Sequence, residues 1–234
     1  MRGSLISFIP LWAKEIYRPK LPTLIIVILL ILWALTLSNT CGYSPKNFAY
    51  GPPQNLKELI SSTRPQIVQV NCHSSRGSGW PLNLKHDVYI MTSYHIVKGC
   101  IDTGEDITIK SLKGQESIGV NIYDSSSDFA LIGTDLFDDG LEISTEITIG
   151  AWIMSIGNPL GLDRSINFGS VSNFNGKHII IEADLNPGDS GGPLINYRGD
   201  VVGMISSSVR DSSNLGIAIS ISDICEKLQN CFLD

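Results

Sequence analysis

The sequence predicts an all-β domain, a sandwich or barrel with one short C-terminal helix, behind a single membrane-spanning helix. Three observations predict it. Residues 21–45 carry no charge, and Leu24 to Leu35 form an unbroken apolar run. From Ile67 onward the pattern changes to short apolar runs separated by Gly, Asp and Asn, the spacing of many short strands. A helical pattern returns late, over Ser222 to Asn230. The 234 residues are 43% apolar and 17% charged, with 22 Gly and 11 Pro, which excludes a disordered chain, a coiled coil and a collagen-like repeat. Lys plus Arg is 17 against 23 acids, a net charge of -6. Nucleic acid is therefore a poor partner, because binding it needs a basic footprint.

The first element is the anchor. Leu21 to Leu37 would rise about 25 Å as a helix, close to the roughly 30 Å hydrocarbon core. It also accounts for a mean hydropathy of +0.13, high for a soluble protein. A buried soluble helix is rarely apolar all round. Arg2, Lys14, Arg18 and Lys20 precede it against one acid, Glu15. The positive-inside rule keeps residues 1–20 in the cytoplasm and sends Cys41 onward across the membrane. A cleaved signal would have a shorter leading segment and a small-x-small site. Ser38-Asn39-Thr40-Cys41 is a poor lipoprotein site, since Asn39 and Thr40 are the wrong kind of residue. The expectation is an uncleaved anchor over 21–38, followed by a Pro- and Gly-rich linker over 39–54.

One globular domain over 55–234 follows. Leu56 to Ser62 reads as a short helix limited by Pro65. Strand-like runs come at Ile67–Val70, Val88–Met91, Ile107–Ile109, Ile118–Ile122, Phe129–Ile132, Ile147–Ile149 and Trp152–Ile156. Others are Ser170–Ser172, His178–Ile181, Val201–Ile205 and Gly216–Ile219. The last helix takes Ser222 or Asp223 as its N-cap.

The sharpest chemical signal is Gly188-Asp189-Ser190-Gly191-Gly192-Pro193. A serine nucleophile needs a tight turn that frees space around its hydroxyl and aims backbone N–H groups at a developing oxyanion. Glycines permit that backbone without steric cost. The bland alternative is a Gly-rich hairpin, which six matched positions make hard to sustain. Such a serine needs a base. Of the four His, His95 follows the strand-like run Val88 to Thr92 and is placed to reach a cleft, although a lone His is more often a surface or core residue. The base needs an orienting carboxylate. Asp128 opens the buried-looking run Phe129 to Ile132, where an unpaired acid would be costly. Asp124 and Asp135 compete from more turn-like surroundings.

These residues resemble the chymotrypsin-fold (trypsin-like) serine proteases, and the wider pattern is similar to their HtrA/Deg branch. The matching stretches are Gly77-Ser78-Gly79, Thr92 to Val97, Ser127 to Leu131, Gly157 to Leu162, the Ser190 motif and Gly216 to Ile219. They run from about 55 to 230 in the family's order. The resemblance implies two packed six-stranded antiparallel barrels with the site in the cleft between them. It makes Ser190 the nucleophile and His95 the general base. Asp128 would orient His95, and the N–H groups of Gly188 and Ser190 would form the oxyanion hole. It implies unfolded or damaged polypeptides as substrates, paired as an added strand along Ile205 to Ser208. No cofactor is implied, and no spacing suggests a metal site.

Substrate preference is open. Asp184 lies six residues before Ser190, where trypsin keeps its basic-residue-selecting acid, whereas Leu185 and Ile217 favour an apolar pocket for small aliphatic residues. Ile205 and Ser206 complete the substrate-binding set. Asp189 stands where HtrA proteins carry Asn. In trypsin-like zymogens that Asp pairs with a newly cut N-terminus, but the sequence has no Ile-Val-Gly-Gly-like activation site. A PDZ domain, usual in that branch, has no room after the last helix.

Cys72 and Cys100 flank the His95 segment, and an oxidising outer face would permit a disulfide there. Cys225 and Cys231 could also pair, leaving Cys41 over; free buried thiols are the alternative. Family members form trimers through N-terminal aromatics, for which Phe48 and Tyr50 are the candidates. The reading is thus a membrane-anchored extracytoplasmic serine endopeptidase. The rival is a catalytically silent homologue acting as a scaffold. An α/β-hydrolase needs Gly-x-Ser-x-Gly and its Ser first.

Overall fold

The computed structural model describes residues 25–26, 28–30, 50–125, 127–208, 214–229 and 231. Most of the anchor expected at 21–38, the linker up to residue 49 with Phe48, and Cys41 lie outside these. Ile25, Ile26 and Ile28 to Leu30 are helical with exposed side chains. Among the described residues no helix is long and apolar enough to cross a membrane.

Residues 50–231 form two closed six-stranded antiparallel barrels. The first contains β1 (Val68–Cys72), β2 (Ser75–Leu84), β3 (Asp87–Thr92), β4 (Ile107–Lys110), β5 (Glu116–Ser125) and β6 (Phe129–Gly133), in the order β1-β2-β3-β6-β5-β4. The second contains β7 (Trp152–Gly157), β8 (Ser165–Asn175), β9 (His178–Glu182), β10 (Pro193–Ile195), β11 (Val201–Ser208) and β12 (Leu215–Ser220). Its order is β10-β11-β12-β9-β8-β7. Three helices attach: α1 (Leu56–Thr63), α2 (Tyr94–Thr103) and α3 (Ile221–Lys227).

Alternation along each strand builds three apolar layers. Val68, Val70, Ile90, Ile109 and Ile132 fill the first barrel. Ile153, Val171, Ile179, Ile181 and Leu194 fill the second. The intervening positions Met91, Leu131, Met154, Ile156 and Met204 join Trp80 in a third cluster. Strands buried on both faces read as continuous apolar runs, which is why Phe129–Ile132 and Trp152–Ile156 lack a polar face.

Five features differ from the sequence expectation, the first being β10, whose three residues follow the Ser190 turn too briefly to show a strand pattern. Ile147–Ile149 is not a strand; Ile147 packs on the second core while Ile149 is 54% exposed, and a three-residue apolar run cannot distinguish the two. β2 was hidden by Gly77, Gly79 and Pro81, which have poor strand propensity, and it forms because β1 and β3 pair with it on both sides. The segment holding His95 is a helix, α2, which buries Ile96, Val97 and Cys100 and ends at Gly104 with φ 72°. The N-cap of α3 is Ser220, two residues earlier than expected, with its Oγ accepting from the Asp223 N–H at 3.2 Å.

Disulfides join Cys72 to Cys100 and Cys225 to Cys231. The first ties the end of β1 to α2 and so braces the helix that carries His95. Cys72, His73 and Cys100 hold metal-ligand atoms within 4.8 Å of one another. The two sulfurs are bonded to each other, however, and so do not offer thiolates. Tyr50 is 73% exposed.

Candidate active site

α2 begins where β3 ends, so His95 stands in the first helical turn at the mouth of the groove between the barrels. Asp128 occupies the β5–β6 turn in a left-handed conformation, φ 64°. That uncommon backbone lets one carboxylate meet His95 twice. Asp128 Oδ1 accepts from the His95 backbone N–H at 3.0 Å and lies 2.9 Å from Nδ1, while Oδ2 is 3.0 Å from Nδ1. Oδ2 also accepts from Ser206 Oγ at 2.7 Å. Burial alone would raise the Asp128 carboxyl, but the hydrogen bonds from His95 and Ser206 outweigh it and hold it below the ordinary carboxylate value. Asp135 instead accepts from Ser117 Oγ at 2.9 Å.

Ser190 lies in the tight turn before β10. Its Oγ donates to the Ser206 carbonyl at 2.9 Å rather than to His95. β11 carries a bulge between Ile205 and Ser207, which leaves Ser206 out of the β12 ladder. Released from pairing, Ser206 spends its hydroxyl on Asp128 and its carbonyl on Ser190. The turn needs glycine twice. Gly188 has φ 108°, and a Cβ there would lie 2.3 Å from the Asn158 carbonyl oxygen. Gly191 has φ 85°, and its Cβ would lie 2.1 Å from the Ser78 carbonyl oxygen.

Backbone carbonyls decide which way the N–H groups face. The Pro187 carbonyl accepts from the Leu160 N–H at 2.9 Å, and the Asp189 carbonyl from the Gly192 N–H at 2.9 Å. Both peptides are trans, so the N–H groups of Gly188 and Ser190 point the opposite way. Among the described residues neither N–H has an acceptor. Ser78, fully buried, steadies the turn: its Oγ donates to the Gly188 carbonyl at 2.7 Å, and its N–H to the Ser190 carbonyl at 2.8 Å.

His95, Asp128, Leu185, Ser190, Ile205 and Ser206 line a cleft of about 490 Å³, with Asn186, Pro187, Asp189 and Ser207. Leu185 approaches Gly216 so closely that a Cβ there would lie 2.3 Å from its Cδ1. Ile217 sits on β12 opposite Ser207 and does not line the cleft. Asp184 lies outside it too, in a separate depression with Phe168, Glu182 and Asn214. Ser207 belongs to the Ile205–Ser208 edge expected from the sequence; sequence reasoning missed Asn186 and Pro187 as cleft residues and the turn-holding roles of Ser78 and Asn158. The only signal for the last two was membership of the Gly77-Ser78-Gly79 and Gly157-Asn158-Pro159 stretches.

Asp189 is 1% exposed and has no cationic partner among the described residues. Its Oδ2 accepts from the Asn186 N–H at 2.9 Å and from Asn167 Nδ2 at 3.4 Å; Oδ1 is buried without a donor. Burial pushes its carboxyl up to about 6; the Asn186 N–H pulls it back and the charge of Asp184 adds to the rise. An unfolded Asp releases its proton near pH 3.9, so the folded state holds the proton more tightly. The cost of charging Asp189 is absent at low pH and complete above pH 6. It amounts to about 3 kcal/mol. Asp189→Asn should therefore raise the melting temperature at pH 8 and change it little at pH 4. An equal shift at both pH values in calorimetry would sink this account.

Comparison with known proteins agrees with this fold. The trypsin-like peptidase domain family matches residues 77–204, more than half of the chain. A relative from Halomonas elongata, a "probable periplasmic serine endoprotease DegP-like", is 31% identical over 186 residues, covering 71% of this chain and 38% of its own. One of the same description from Ectopseudomonas mendocina is 33% identical, over 73% of this chain and 39% of its own. The chain thus spans well under half the length of these curated relatives. The solved structure of the HtrA-type protease AlgW with a tripeptide shares the fold at a TM-score of 0.65 and 23% identity, covering 74% of this chain and 62% of that one. The two-barrel fold is that of the trypsin-like peptidase domain family. The chain belongs to that family, on its HtrA/DegP-like side.

Proposed function

We propose that the protein is a serine endopeptidase that hydrolyses unfolded or damaged polypeptides outside the cytoplasm, held at the membrane by the apolar segment 21–38. The observation that carries the catalytic part is the convergence on one cleft of Ser190 and the His95–Asp128–Ser206 chain, beside two N–H groups that have no acceptor among the described residues. An extended substrate lies along β11 beside Ser206 and Ser207. Ser190 Oγ rotates from the Ser206 carbonyl to His95 Nε2. As Oγ attacks the carbonyl carbon, His95 takes its proton and Asp128 stabilises the imidazolium. The oxyanion receives the N–H groups of Gly188 and Ser190. The C–N bond breaks, His95 protonates the leaving amine, and water activated by His95 frees the acyl group. With Leu185 on the cleft wall and Asp184 outside it, the residue before the cut is small and aliphatic.

The extracytoplasmic part is supported by the two disulfides and by the word "periplasmic" in the relatives' names. The test is intact-mass spectrometry of the full chain in detergent after treatment with a fluorophosphonate. One adduct mapping to Ser190 is expected. No adduct on folded protein would favour a binding scaffold. The anchor is tested apart: the full chain should stay with membranes through an alkaline carbonate wash, and a chain starting at Lys46 should not.

A further inference from the structure

Arg164 lies in the turn between β7 and β8, with its side chain 2% exposed and, among the described residues, no buried carboxylate beside it. The Asp163 carboxylate is 3.7 Å away and 66% exposed. The guanidinium rests on neutral carbonyls of the first barrel instead. Nε donates to Ile67 at 2.8 Å, just before β1, and Nη2 to Lys110 at 3.0 Å, at the end of β4. Burying a cation mainly on carbonyls is costly, and the left-handed backbone of Arg164, φ 49°, adds to the cost.

The same turn is clamped at its other end. Asn158 Nδ2 donates to the Val68 carbonyl at 3.0 Å and to Ser78 Oγ at 3.1 Å. The Arg164 N–H donates to Asn158 Oδ1 at 3.2 Å, and the Arg164 carbonyl accepts from Arg64 Nε at 3.1 Å. Between the two clamps sits Leu160, whose N–H holds the Pro187 carbonyl. The turn has little apolar packing of its own, since Leu160 is 73% exposed and Leu162 63%. Hydrogen bonds to the first barrel therefore set where the Leu160 N–H stands.

We propose that Arg164 is a positioning residue for the oxyanion hole: it ties the 158–164 turn to the first barrel, so that Leu160 keeps the Pro187 carbonyl turned away and the Gly188 N–H turned toward the cleft. This rests on the peptidase reading for its catalytic consequence. Without the tie, the Pro187–Gly188 peptide is free to turn over, and one donor is lost.

Arg164→Met keeps the side-chain bulk and removes every donor; Arg164→Lys keeps the charge and one donor group. Two readouts are compared with the parent chain at a temperature where each variant is folded. Amide hydrogen exchange at Leu160 should be at least about tenfold faster in Arg164→Met, the signature of a lost hydrogen bond. Its kcat should fall about 10²–10³-fold with KM within about threefold, the effect of losing one donor. Arg164→Lys should fall between. A general loss of stability would lower the melting temperature without that kcat-against-KM split. Unchanged Leu160 exchange together with unchanged kcat in folded Arg164→Met overturns the proposal, and the same result in Arg164→Lys does so if the Met variant does not fold. A parent chain without turnover would sink the peptidase reading, while the exchange comparison would still decide the role of Arg164.

Discussion

Ser190→Ala should abolish peptide hydrolysis, lowering kcat by about 10⁶, the loss that follows removal of a triad serine. The expectation follows from how the cleft distributes its hydroxyls. Ser190, Ser206 and Ser207 all line it. Ser206 Oγ is committed to Asp128 at 2.7 Å, and its bulge holds it there. Ser190 Oγ makes one bond, to a carbonyl, which a rotation exchanges for His95. It also sits in the same turn as the two N–H groups that would take the oxyanion, so a bond formed at Oγ brings the charge to them. Folding should barely register the change, because a single hydrogen bond of this kind is worth about 1 kcal/mol. The measurement is steady-state hydrolysis of a fluorogenic peptide and of an unfolded protein, beside a thermal melt. A folded variant that keeps more than about a tenth of the parent rate would place the nucleophile elsewhere.

Asp128→Asn should lower kcat by about 10⁴ near neutral pH while leaving the fold intact. The carboxylate now receives the His95 N–H, faces Nδ1 with both oxygens and takes the Ser206 hydroxyl. An Asn offers one acceptor oxygen in place of two. Its NH₂ would face either Nδ1 or Ser206, and against Nδ1 it selects the tautomer with the proton on Nε2, where the base must be free. The imidazolium formed during attack would also lose its countercharge. The loss should therefore appear in kcat with little change in KM. If kcat fell less than about tenfold, Asp128 would not be the orienting group, and Asp124 would have to be reconsidered. Asp135 would remain the weaker rival, since its carboxylate is already engaged by Ser117.

The parts of the fold legible in the sequence were those with local signatures. Continuous apolar runs marked β6 and β7, which are buried on both faces, and short apolar runs also marked β3, β9, β11 and β12. β2 was not legible, because its Gly77, Gly79 and Pro81 disfavour a strand and only pairing on both edges makes it one. α2 was missed for a related reason. Ile96 and Val97 extend the apolar pattern of β3, and the helical spacing shows only with Cys100, whose sulfur is spoken for by Cys72.

The site divides the same way. The chain by itself singled out the residues proposed to carry chemistry: a serine in a glycine-rich turn, a histidine after one strand, an aspartate before another, in an order shared with a family. Those are short-range patterns, each set by what a tight turn or a strand end tolerates. Only the tertiary structure decided that Ser206 supports Asp128, that Asp184 stands outside the cleft, that Asp189 is buried without a cation among the described residues, and that Leu160 bonds to the Pro187 carbonyl and Arg164 to the first barrel. The physical reason is distance along the chain. Ser206 meets Asp128 across 78 residues, and Arg164 reaches Ile67 across 97. Hydrogen bonds of that span leave no periodicity in the sequence and exist only once both barrels have closed.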